Sequence, residues 1–372
     1  MKTPASPNER SLPTSGSMQS PGKIEKRIAG LDGLRALSIA LVCLSHVQIT
    51  PGFPLHLGFI RGLLGVQIFF VISGFLITEL LLREEQESGR FSLGGFYYRR
   101  AFRILPAAFA YIAVVSIVSA FGRTIVHVRD VLAASLFVAN LVEDVAPALA
   151  HYWSLSVEEQ FYLLWPAVLC WTPRRWRLPC ATLVMLLIPF WHQLNMKLFT
   201  AAQVNVARLD LNADAMLSGA LVALGARTAR GQRIIGRVAE HANVLLFLSL
   251  SFLFVFVAYA GGLPGIVGRP LTWGRQAACA ILIVTAINAR AFAAAALNAR
   301  WVRYVGRLSY SLYLWQQPLL WTRTWGQKIP WFACWPQNIV FGCAAALVSY
   351  HCIERPILSW RDKHPYQAAP EA

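Results

Sequence analysis

Charge is scarce in this sequence. Of 372 residues, 14% are Asp, Glu, Lys or Arg and 56% are hydrophobic, whereas soluble domains carry about 25% charged residues. A water-soluble protein of this size could not cover its surface, so the composition excludes that class. Acids are the scarcer sign, with 18 Asp and Glu against 34 Lys and Arg and a net charge of +16. The excess is not a nucleic-acid signature. Its basic residues sit mostly in short loops between apolar runs, where they act as topology determinants. Cysteine is sparse too. The seven residues (Cys43, Cys170, Cys180, Cys279, Cys334, Cys343 and Cys352) form no C-x-x-C pair, and neither a disulfide framework nor a zinc site is indicated. An N-terminal apolar h-region is missing. Residues 1–27 hold Pro4, Pro7, Pro13 and Pro21 among serines and read as a disordered cytoplasmic tail, not a signal peptide.

What the chain does have is apolar stretches: 31–49, 63–82, 104–122, 131–142, 155–171, 179–194, 209–226, 243–260, 275–297, 307–322 and 337–353. A helix needs about 20 residues to cross a bilayer, and 131–142 falls short. Lys23, Lys26 and Arg27 place the first loop inside. If 131–142 does not cross, the clusters at Arg99–Arg103, Arg174–Arg177, Arg227–Arg237, Arg290–Arg303 and Arg355–Lys363 are all inside as well. The expected fold is an all-α, polytopic transmembrane bundle of about ten spans. Both termini are cytoplasmic, and 131–142 is interfacial or re-entrant. The membrane domain is expected over 28–358, with a C-terminal tail over 359–372.

Ionisable groups at membrane depth are expensive and invite a functional reading. The first span, LDGLRALSIALVCLSHV, carries Asp32, Arg35 and His46. Arg35 and His46 are eleven residues apart, about three turns and roughly 16 Å, so they share one face. A snorkelling Arg and an incidental His fit as well. In the second span Ser73-Gly74 reads as a small-residue packing notch. Arg99, Arg100 and Arg103 in FYYRRAFRILP either hold phosphates or anchor a helix at anionic headgroups. Glu158 and Glu159 in HYWSLSVEEQFYLLWP are expected near the outer end of their span, level with His46. There a carboxylate would orient the imidazole. Arg208 and Asp210 are expected near the outer surface too. The residues thus sort into a cytoplasmic anion-binding set (Arg35, Arg99, Arg100, Arg103) and an outer polar set (His46, Glu158, Glu159, Arg208, Asp210).

The stretches LDGLRALSIALVCLSH, GVQIFFVISGFLIT, FYYRRAFRILP, YWSLSVEEQFYLLWP, VGRLSYSLYLWQQPL and IERP together resemble the acyltransferase 3 family of integral membrane acyltransferases. The resemblance runs from about residue 28 to 358 in the family's order. It implies a ten-span bundle in the bacterial inner membrane that moves an acyl group, usually acetyl from acetyl-CoA, onto a hydroxyl of an extracytoplasmic carbohydrate or glycolipid. It also implies His46 as the essential histidine and Arg35 as its partner. Arg99, Arg100 and Arg103 become the basic motif for the CoA donor, and Glu158 the important glutamate ahead of Glu159. Asp32, Ser73, Trp153, Ser154, Arg208, Asp210, Tyr310, Tyr313 and Gln316 are supporting positions. No metal is implied. Two residues depart from the pattern: Gln67 stands where many members have Asp, and Gln316 where many have His. A Gln cannot transfer a proton at neutral pH. The expected mechanism has His46, held by Glu158, acting as general base on a sugar hydroxyl that attacks the thioester, directly or through an acyl-histidine. A proton-coupled transporter or flippase, and an acyl-binding protein without turnover, are the readings from other classes.

Overall fold

The computed structural model describes residues 30–366 apart from 56–61, 123, 199–206, 260–264, 289–290 and 327–328; the N-terminal tail expected over 1–27 lies outside the described residues. No strand occurs among the described residues. The helices are α1 (Leu31–Val47), α2 (Gly62–Ser88), α3 (Leu93–Ala120), α4 (Val128–Ser135), α5 (Tyr152–Trp171), α6 (Arg174–Leu198) and α7 (Leu209–Gly225). They continue with α8 (Ala229–Glu240), α9 (Ala242–Tyr259), α10 (Gly265–Ile287), α11 (Ala291–Asn298), α12 (Arg300–Leu320), α13 (Gln337–Ser349) and α14 (Arg355–Lys363). A five-residue π-turn, Tyr350–Glu354, joins the last two. By length and composition α2, α3 and residues Arg174–Asn195 of α6 could each cross a membrane. The α7–α8 pair passes the same test as one broken span, bent by 109°.

The apolar stretch 131–142 splits into the eight-residue α4 and a 3₁₀ turn at Ala139–Leu141. At 1.5 Å per residue α4 is roughly 12 Å long and cannot span. Several helices begin earlier than hydrophobicity alone indicates, and two of them bear on the site. Ser92 caps α3 by accepting from the Gly95 amide, so the helix starts eleven residues ahead of its apolar run and carries Arg99, Arg100 and Arg103 within it. α5 starts at Tyr152, ahead of the apolar run at 155. Both offsets move charges toward the centre of the bundle. α8 interrupts the basic loop after α7 and buries none of its residues.

The core is seamed by helices that approach closely. α2 packs most extensively on α7, and α1 on α12 and α2. Gly74 of α2 lies against the Met216 backbone of α7, and Gly219 of α7 against the Val71 carbonyl of α2. Any Cβ at either position would overlap backbone, so Gly74 is the packing notch and Ser73 is left free for other work. At the C-terminal end of α2 its acids collect the loop arginines. Glu79 accepts from Arg83 at 2.5 Å and Arg227 at 3.0 Å, and Glu84 from Arg99 at 2.7 Å. Glu85 pairs with Arg177 at 2.7 Å and Arg174 at 3.1 Å. These arginines therefore tie α3, α6 and the α7–α8 corner to α2, whatever they contribute to topology.

The seam gives a direct test. Gly219→Ala should destabilise the detergent-solubilised protein by roughly 1–3 kcal/mol, the usual range for overpacking. Gly225→Ala, at a position with nothing within 4 Å, should leave the unfolding temperature unchanged. Equal effects from the two would contradict the close α2–α7 approach.

Candidate active site

A cavity inside the bundle is lined by Arg35 of α1, Ser73 of α2, Arg100 and Arg103 of α3, Ser154, Glu158 and Glu159 of α5, and Tyr310 and Tyr313 of α12. Phe69, Phe70, Ile104 and Leu155 contribute its apolar wall. Sequence reasoning put the arginines and the glutamates on opposite sides of the membrane; the structure brings them together. Glu158 is six residues into α5 and Arg100 seven into α3, depths of roughly 9 and 10 Å from the helix starts. The helices run from opposite ends, so these side chains meet within the bundle.

Glu158 does not reach His46. Its Oε1 accepts from the Ser73 hydroxyl, the Tyr162 hydroxyl and Nη2 of Arg100, the last at 3.3 Å. The Arg100 guanidinium also lies over the Tyr162 ring, 3.5 Å from its centroid. Donors from α2, α3 and α5 thus converge on one carboxylate oxygen. The expected Glu158–imidazole pair is corrected accordingly. Helical rise fixes height along one helix only, and α5 starts a turn earlier than its apolar run. Glu159 lines the cavity with no hydrogen bond or ion pair among the described residues.

The other cavity arginines have acids of their own. Arg35 lies 3.8 Å from Asp32, one turn back on α1. Arg103 lies within electrostatic reach of Glu354 in the π-turn, which accepts from the Ser311 hydroxyl. Glu354 was missed as a site residue, although it is the acid of the IERP stretch; its signal was a π-turn that periodicity does not reveal. π-turns recur at functional sites.

His46 sits beyond the cavity's Tyr313 wall, and a ladder of amides fixes its tautomer. The Pro147 carbonyl can only accept, so Gln317 turns its Nε2 toward it at 2.7 Å. The Gln317 Oε1 then accepts from Nε2 of Gln316, which also donates to the Tyr313 carbonyl, both at 3.4 Å. Gln316 is left presenting Oε1 to His46 Nδ1 at 2.5 Å. An amide oxygen only accepts, so Nδ1 carries the hydrogen, and in the neutral ring the lone pair is on Nε2. Gln316 therefore supplies the orienting hydrogen bond expected from Glu158, with no need to transfer a proton. The Trp321 ring packs on the imidazole at 4.6 Å between centroids.

The remaining positions divide. Ser154 and Tyr313 share a hydroxyl–hydroxyl bond, and Tyr313 also donates to the His151 carbonyl at 3.2 Å. Tyr310 donates to the Ile104 carbonyl at 2.9 Å, fixing α12 on α3. Trp153 packs edge-on against Phe70 at 6.3 Å. Gln67 is buried in α2 and its Oε1 has no partner among the described residues. Three positions stand apart from the cavity. Arg99 points away to Glu84. Arg208 and Asp210 pair with each other at 2.7 Å, and Trp191 Nε1 donates to Asp210 at 2.7 Å.

Residues 28–353 match the family model described as an acyltransferase domain, acyltransferase 3. The chain belongs to that family. It is 29% identical over 354 residues to a protein of Bacillus subtilis named "Putative peptidoglycan O-acetyltransferase YrhL", covering 89% of this chain and 55% of that protein. It is 28% identical over 360 residues to the peptidoglycan O-acetyltransferase OatA of Listeria monocytogenes, with 89% and 56% covered. The chain thus spans about half the length of these curated relatives. No solved structure matches it.

For an acyltransferase 3 protein, the tautomer ladder makes a specific expectation. Gln316→Leu should lower acyl-transfer turnover at least tenfold, while falling short of the roughly 10²–10⁴-fold that a lost general base removes. The KM for the donor should not change. Wild-type turnover in this variant would show that the His46–Gln316 bond has no part in the reaction.

Proposed function

We propose that the chain is a membrane O-acyltransferase. It takes an acyl group, most simply acetyl, from acyl-CoA at the cytoplasmic side and places it on a carbohydrate hydroxyl at the outer side. The names of the relatives make a peptidoglycan-like glycan the acceptor class of choice. The bundle has ten spans in the bacterial inner membrane, with both termini cytoplasmic; the basic loops support this arrangement.

The observation that carries the reading is an imidazole with a fixed tautomer, bonded to Gln316 one turn of α12 beyond Tyr313 of the arginine-lined cavity. Arg35 is three turns from His46 on the same face of α1, roughly 16 Å away, which is comparable to the reach of a pantetheine arm. Arg35, Arg100 and Arg103 receive the anionic end of the donor, and the arm extends along α1 toward His46. His46 Nε2 accepts the proton of the acceptor hydroxyl as its oxygen attacks the thioester carbon. The C–S bond then breaks and the thiolate takes up the proton. Glu158 holds Arg100 in place, and Glu159 is the carboxylate free to meet the substrate. Trp191, Arg208 and Asp210 are a candidate outer contact for the glycan, pairing an indole with a planar ion pair.

Two measurements bear on this. His46→Ala should abolish acyl transfer from acetyl-CoA while the protein still inserts and melts at the wild-type temperature; unchanged transfer would overturn the reading. A reporter fused after Arg237 should lie in the cytoplasm, and an outer location would overturn the ten-span topology.

A further inference from the structure

His151 has no role in the scheme above, and its ring has no hydrogen-bond partner among the described residues. It immediately precedes α5 and is 4% exposed, and neither Nδ1 nor Nε2 is bonded among the described residues. Its ring is held by aromatic neighbours. Tyr111 meets it edge-on at 5.2 Å, and Tyr152 and Tyr313 at 5.0 and 5.6 Å. The His151 and His46 rings are tied through α12: Tyr313 packs on the His151 ring and donates to its carbonyl, and Gln316, three residues later, bonds His46.

Packing does not explain an imidazole here. A phenylalanine would fill the same aromatic box, and two buried ring nitrogens without partners destabilise a fold. A polar group held rigid and unbonded beside a candidate base is what electrostatic catalysis requires. Donors aimed at developing charge act most strongly when nothing has to reorganise.

We propose that His151 is a second catalytic imidazole, whose N–H donates to the acyl carbonyl oxygen as negative charge develops on it. This rests on the acyl-transfer reading above. The acceptor oxygen bonds to the carbonyl carbon, its proton passes to His46 Nε2, and the carbonyl electron pair moves onto the oxygen facing His151. Return of that pair expels the thiolate, which takes the proton from His46. The His151 hydrogen stays on its nitrogen throughout, so the residue stabilises charge and transfers nothing.

The test compares the full-length protein and its variants in membrane vesicles, measuring thiol release from acetyl-CoA together with unfolding temperature. His151→Phe keeps the aromatic box and should lose roughly 10²–10³ in rate, the usual effect of removing one such donor, with no fall in unfolding temperature. His151→Gln and His151→Met form a second pair, nearly equal in volume and differing in the N–H donor. Gln should retain at least tenfold more rate than Met. If His151→Phe, or His151→Met where the Phe variant does not fold, turns over at the wild-type rate while His46→Ala is dead, this inference fails and acyl transfer stands. If His46→Ala is itself active, the underlying reading fails.

Discussion

An ionised side chain inside an apolar bundle must find its counter-charge or its hydrogen bonds within the protein, because no bulk water is at hand to replace them. That requirement organises the structure around Glu158. Its carboxylate draws a hydroxyl from α2, a guanidinium from α3 and a phenol from α5 onto one oxygen. Asp32 and Glu354 serve Arg35 and Arg103 in the same way. Helices whose polar groups must meet cannot slide past one another. Glycine seams, Gly74 on Met216 and Gly219 on Val71, lock α2 on α7, and Ser73 on another face of α2 reaches Glu158 of α5.

The result is a polar path with two chemistries along its length. The cavity level carries fixed charge, with three arginines beside carboxylates. The His46 level carries neutral amides, which set the hydrogen on Nδ1 without placing another ion beside the imidazole. Tyr313 joins the two, lining the cavity while its carbonyl accepts from Gln316. The arginine cluster and the imidazole are thereby separated in space yet mechanically linked through one turn of α12.

Much of this was legible in the residues. The all-helical class, the failure of 131–142 to form a spanning helix, and the individual polar residues all follow from hydropathy and from the cost of charge at depth. Which groups meet did not follow. Hydrophobicity places the start of α3 at 104, but a Ser92 cap extends it to Leu93 and carries Arg100 inward. Likewise α5 starts at Tyr152, which lowers Glu158 out of reach of His46. Gln316 read as the loss of a proton carrier because its partner, Gln317, lay one residue on and its anchor, the Pro147 carbonyl, in a distant loop. Nothing in the sequence sets His151 apart, because its burial among tyrosines exists only in the folded chain.

If donor and base share one path, the donor's anion lies at the arginine level and its reacting carbon at His46. A structure of the protein in lipid nanodiscs with a non-hydrolysable acyl-CoA analogue decides this. Phosphates should lie against Arg35, Arg100 or Arg103 and the acyl carbon beside His46 Nε2. An analogue whose acyl end stops at Glu158, or which binds outside the bundle, rules the shared path out.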